Sequence, residues 1–207
     1  VELDKVVPAF LQRLDRPERG GVWAEYLRAT REATQRVADE LLDGVEPEQR
    51  AEVTLTDFDP DGEVKVVAAA LYAVTALPDD QPLAIARKLS DEDPHRVLAA
   101  YIGARENRRH KPGRAFERTS YRFDVLGDYG AFRDLQRHRL LTLEWQPLSP
   151  RHGFAVAPEL DEVGARADWL RAMEDSASLH GALVDAGLAA AAPYAVAMAY
   201  RVRYYME

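Results

Sequence analysis

The chain has 207 residues, 47% of them hydrophobic, with 27 Lys and Arg against 35 Asp and Glu, a formal net charge of -8. That balance excludes sequence-blind affinity for polymeric nucleic acid or an anionic membrane, so any anionic ligand must meet a local concentration of cations. Zero cysteines exclude a disulfide framework, a thiolate zinc site and a cysteine nucleophile, and they fit a reducing, cytoplasmic setting.

No apolar run nears the roughly 18 residues of a membrane helix. The chain begins at Val1 without a methionine and stops at Tyr204-Tyr-Met-Glu207 with no capping signal, which reads as a piece of a longer polypeptide.

Asp15 to Gly21 reads as a loop. Trp23, Tyr26, Leu27, Thr30, Thr34, Val37 and Leu41 then recur at helical spacing, with Gly44 as a stop. Residues 45–52 read as a linker, giving a helical N-terminal extension over 1–50 and a main domain over 51–207. Val53 to Thr56 alternates as a half-buried strand, and Asp59-Pro60 offers a cap and a first-turn proline for an Ala/Val-rich helix ending near Leu77-Pro78. Ser90 to Asp93 resembles a capping box for a helix through Val97, Leu98, Tyr101 and Ile102.

Between Arg105 and Arg118 the chain turns basic. Thr119 to Val125 alternates with a period of two, as a strand with one buried face does. Gly127-Asp128 opens a helix carrying Tyr129, Phe132 and Leu135, with Arg137-His138-Arg139 at its C-terminal end. Leu141 to Trp145 reads as a strand, 160–186 as one long helix broken at Gly187, and the remainder as helical to the end. The order of strands and helices predicts an α+β fold, an antiparallel or mixed sheet packed with long helices.

Arg137, His138 and Arg139 would fan out around an intact helix, but at a terminus two of them can converge on one anion. A guanidinium offers a planar fork suited to phosphate, which lysine cannot reproduce. Cations at a helix C-terminus also gain about 0.3–1 kcal/mol each from the macrodipole with no ligand at all, so both readings stand. Ser149-Pro-Arg151-His152 is either a second anion-binding turn or a surface loop. Two histidines without a third ligand at recognisable spacing make no metal site, and no Ser or Thr sits in a nucleophile elbow. The catalytic residues stay unassigned.

Together, Gly113-Arg-Ala-Phe-Glu-Arg118-Thr-Ser-Tyr-Arg-Phe123, Arg137-His-Arg139-x-x-Thr142 and Ser149-x-Arg151 resemble the flavin-dependent thymidylate synthases over residues 53–207. The resemblance implies an α+β homotetramer that binds FAD at subunit interfaces. It also implies methylation of dUMP to dTMP, with methylenetetrahydrofolate as carbon donor and NADPH as reductant.

It would make Arg137, His138 and Arg139 FAD-binding residues and put Ser149 and Arg151 at the nucleotide. Arg118 stands where that family has a histidine, Asp134 where it has a nucleotide-facing glutamine, and the family's last nucleotide motif would begin beyond Glu207. These departures leave two alternatives: a catalytically degenerate homologue acting as a structural or regulatory partner, or a flavoenzyme for another anionic substrate.

Overall fold

The structure, a computed structural model, describes residues 2–12 and 20–207; Asp15 to Arg19 of the expected loop lie outside them. The chain divides into two compact units, Val1–Gln49 and Arg50–Glu207. The first holds α1 (Glu2–Val6), α2 (Pro8–Leu11) and α3 (Gly21–Leu41). The third helix matches the spacing of its apolar residues, and no residue along it is buried.

The second unit is α+β. Its four strands, β1 (Val53–Phe58), β2 (Tyr121–Asp128), β3 (Leu143–Trp145) and β4 (Arg201–Met206), form one sheet in the order β1-β2-β4-β3. Every pairing is antiparallel. The central strand β4 corrects the expectation that the chain ends as a helix. Ala-rich sequence leads into it, but Val202 and Tyr204 alternate with less buried neighbours, the two-residue period of a pleated strand.

Four helices, α4 (Gly62–Tyr72), α5 (Asp80–Ala86), α6 (Glu92–Ile102) and α7 (Tyr129–Leu135), and two more, α8 (Glu159–Glu162) and α9 (Arg166–Asp185), complete the unit with three short 3₁₀ turns. The first of these helices starts two residues after Pro60 and ends at Tyr72, short of Leu77. Its beginning is held by Asp59, whose side chain accepts from the Asp61 backbone N–H at 3.0 Å and takes an ion pair from Lys65 at 2.5 Å. Helix α5 was not expected; its Pro82 sits in the first turn, where the missing N–H costs no helical bond.

The long helix expected over 160–186 is two helices. Gly164 takes φ 69° between them, a conformation that an L side chain resists, and Gly187 closes the second at φ 75°. At α7 the expectation is met: the Asp128 side chain accepts from the Ala131 N–H at 2.8 Å, satisfying one orphan donor of the helix start.

The core against the sheet centres on Phe132, which is fully buried. Its ring lies 4.6 Å from Tyr204 and 5.4 Å from Trp145, and Val125 and Val202 close around it. A separate cluster packs α4 against α5 and α6 through Val66, Val67, Ala68, Ala70 and Ala86. Phe132→Ala should therefore cost about 3–5 kcal/mol, the range for emptying an aromatic site in a close-packed core. Urea denaturation measures it, and a loss under about 1 kcal/mol would contradict this packing.

Candidate functional site

Strand β4 fixes both cationic segments singled out in the sequence. At its far end, Thr142 and Glu207 exchange two backbone hydrogen bonds of 3.0 Å, which anchors the turn that follows α7. At its near end, Arg201 N–H donates to Gly153 at 2.9 Å and Phe154 bridges Tyr200, which anchors the Ser149–His152 loop. Six residues of strand separate these anchors, about 20 Å at the usual rise. The two segments thus stand toward opposite ends of the sheet rim.

Arg137, His138 and Arg139 lie just past the helix, in successive tight turns closed by Arg137 N–H to Asp134, His138 N–H to Leu135 and Leu141 N–H to His138. All three side chains are exposed. Arg137 faces the Asp134 carboxylate at 3.5 Å, both groups being solvent-exposed, so that pair holds Arg137 only weakly. Arg139 makes no ion pair with any described residue, and Leu140 beside it is 99% exposed. The structure presents this turn outward as a cationic and apolar tip.

In the second segment, Arg151 Nε donates to Ser149 Oγ at 3.1 Å. The structure brings these two expected partners together, and no carboxylate among the described residues claims the guanidinium. His152 is partly buried beside them. Burial lowers its pKa from the ordinary 6.5, and the charges of Arg151 and Arg203 push it the same way. Arg203 is itself neutralised by Asp124 at 2.5 Å.

Arg118, the residue in the histidine position, is exposed in the 3₁₀ turn Arg114–Arg118, where its charge adds to that of Lys65 in lowering the pKa of Asp59. The dominant cause there is the hydrogen bond from Lys65.

Sequence reasoning missed two clefts. One, of about 440 Å³, is lined by Glu52, Gly127, Asp128, Trp169, Ala199 and Arg201 among others, and Arg201 pairs with Glu52 at 2.9 Å. The other, of about 200 Å³, gathers Asp57, Asp59, Ser120, Arg122 and Glu207; there Arg122 lies 3.5 Å over the Tyr205 ring. Their residues come from five separated segments in the first and three in the second, so no spacing in the sequence could signal them. Neither is lined by Arg137, Arg139 or Arg151. Among the described residues, no group of three or more His, Asp or Glu could hold a metal ion, and no helix is long and apolar enough to cross a membrane.

With this geometry the fold can be compared with known ones. The chain is similar to the crystal structure of a UMP/dUMP methylase, PolB from Streptomyces cacaoi, bound with 5-Br dUMP. The TM-score is 0.53 over 77% of this chain and 74% of that one, at 18% identity. The likeness is one of fold.

No family model matches the chain. In sequence it is a relative of the UPF0159 proteins. It is 35% identical over 208 residues to that of Chlamydia pneumoniae, covering all of this chain and 39% of the relative. It is 34% identical over 204 residues to that of Chlamydia muridarum, covering 98% and 38%. A UPF0159 protein of Thermoplasma acidophilum, Ta1429, is 42% identical over 106 residues, 51% of this chain. The chain spans about two fifths of the length of the two chlamydial relatives.

The depressed His152 pKa gives a pH signature. Its neutral form is the one the fold accommodates, so its contribution to stability is complete above the unfolded value near 6.5. That contribution is lost as pH falls through the lower folded value. In an NMR titration of the ring, His152 should show a midpoint below 6.5, rising when an anion binds Arg151. A midpoint at or above the ordinary value with no anion present would contradict its placement beside two guanidinium groups.

Proposed function

We propose that this chain is a flavoprotein unit of the thymidylate synthase-like class, acting on a uridine monophosphate such as dUMP. In this reading the Arg137–Arg139 turn binds phosphates of FAD, and Ser149 with Arg151 meets a nucleotide phosphate. The observation that carries the reading is the turn itself, where Arg139 is held out beside Arg137 and His138 with no carboxylate partner among the described residues. In a chain of net charge -8, the Arg139 guanidinium, with the weakly held Arg137 beside it, fits a phosphate by charge and by fork geometry. Bound there, FAD would supply the redox chemistry, with NADPH as reductant and methylenetetrahydrofolate as the carbon source.

The separation of the two cationic segments bears on assembly. A mononucleotide cannot reach both ends of a rim about 20 Å long; an extended dinucleotide, or neighbouring copies contributing one segment each, can. Exposed apolar side chains on and after α9 (Leu179, Val184, Leu188, Tyr194) and Leu140 on the turn support a homo-oligomer, a tetramer by resemblance, since such side chains gain by being covered.

A second reading has its own support. Asp134, in the position of the family's nucleotide-facing glutamine, pairs with Arg137, and Arg118 stands in place of the family's histidine, exposed in its 3₁₀ turn. These substitutions suit a non-catalytic homologue that partners an active unit.

Flavin fluorescence quenching separates the readings. FAD should bind saturably, Arg139→Ala should weaken it about tenfold at unchanged stability because the side chain is exposed, and Asp134→Gln should tighten it a few-fold by releasing Arg137. Absence of binding by the folded wild-type chain, or identical affinity in Arg139→Ala, would favour the non-catalytic partner.

A further inference from the structure

The helix α3 has two unlike faces. On the outer face, Arg28 bonds Glu25 and Glu32, both at 2.9 Å, and Gln35 bonds Asp39 at 2.7 Å, so the polar groups there satisfy one another one turn apart. The other face carries Trp23, Leu27, Thr30, Thr34, Val37 and Leu41, in alternating steps of four and three residues. That 3.5-residue spacing is the a/d register of a coiled-coil seam, with Tyr26 flanking it. Trp23 is 57% exposed, Val37 53% and Leu41 75%.

The two threonines at the middle of the seam are ready for burial. Thr30 Oγ1 donates to the Tyr26 carbonyl at 2.9 Å, and Thr34 Oγ1 donates to that of Thr30 at 2.9 Å. With both hydroxyl protons already used, the methyl groups can pack without leaving a donor stranded. Near the N-terminal end Trp23 stacks on Tyr26 at 5.9 Å.

We infer that α3 is an oligomerisation helix whose partner is α3 of a second copy of this chain, the two running parallel through the Trp23–Leu41 seam. A seam of this period is self-complementary, because each apolar layer meets its own equivalent. The flanking charges choose the direction. Side by side, Arg31 falls next to the other copy's Tyr26, a cation against an aromatic ring; head to tail, the two Arg31 side chains would meet as like charges. Seam and neighbouring side chains would cover on the order of 600 Å² from each copy, near the ~800 Å² per partner of a standard interface.

This inference stands apart from flavin binding, and its test leaves that reading untouched. The cysteine-free 207-residue chain allows a direct experiment. With Thr30→Cys, mild oxidation should give a disulfide-linked dimer, because equivalent seam positions face each other in a parallel pair, while Ala29→Cys on the outer face should not link.

In sedimentation equilibrium, Val37→Glu should raise the apparent dissociation constant roughly 100-fold by placing a charge in the seam, and Ala29→Glu should leave it alone. A folded Thr30→Cys chain that stays uncrosslinked overturns the parallel pairing. Unchanged association in a folded Val37→Glu chain would overturn the inference entirely.

Discussion

The burial of Phe132 between the sheet and α7 is the contact on which the rest of the second unit depends. It joins a residue of a seven-residue helix to Tyr204 on the last strand and Trp145 on the strand beside it. A helix that short has no stability of its own. Its position therefore follows from the aromatic contact and from two backbone bonds, Tyr129 N–H to Tyr200 and Gly130 N–H to Met198, both 2.9 Å. Because β4 lies between β2 and β3, the segments that carry the cations are connected through one strand, and a loss of its packing would move both.

That arrangement would let an acidic chain hold the proposed anionic ligand. Most arginines with a carboxylate within reach are paired, as Arg203 is with Asp124, Arg201 with Glu52 and Arg87 with Asp61. Arg139 and Arg151 stand apart from this pattern, on turns at opposite ends of the sheet rim. Arg137 lies between the two classes, since its exposed contact with Asp134 is weak enough for a phosphate to compete. The likeness to a UMP/dUMP methylase speaks for the fold, while the argument for a phosphate ligand rests on these side chains.

What the sequence made legible follows its local physics. Strand β2 and helix α7 could be read because their signals are short-range: a two-residue alternation, then an Asp at the cap. The first strand and the third helix were readable for the same reason. Strand β4 was not, because Ala and Tyr/Arg composition suits either state and its partners β2 and β3 lie far earlier in the chain. Helix α5 was hidden by Pro82, which reads as a breaker unless its place in the first turn is known. The cationic residues could be named from their types, but not the separation between Arg139 and Arg151, which depends on where β4 enters the sheet. The clefts around Arg201 and Arg122 left no local trace at all.

We propose that the turn after α7 is the cofactor-phosphate site, on a rim held by β4. Hydrogen–deuterium exchange of the full chain with and without FAD tests it most directly. FAD should add protection across residues 136–142, with β4 already slow in both states. Protection confined to other segments, or rapid exchange of the β4 amides in the free protein, would contradict it.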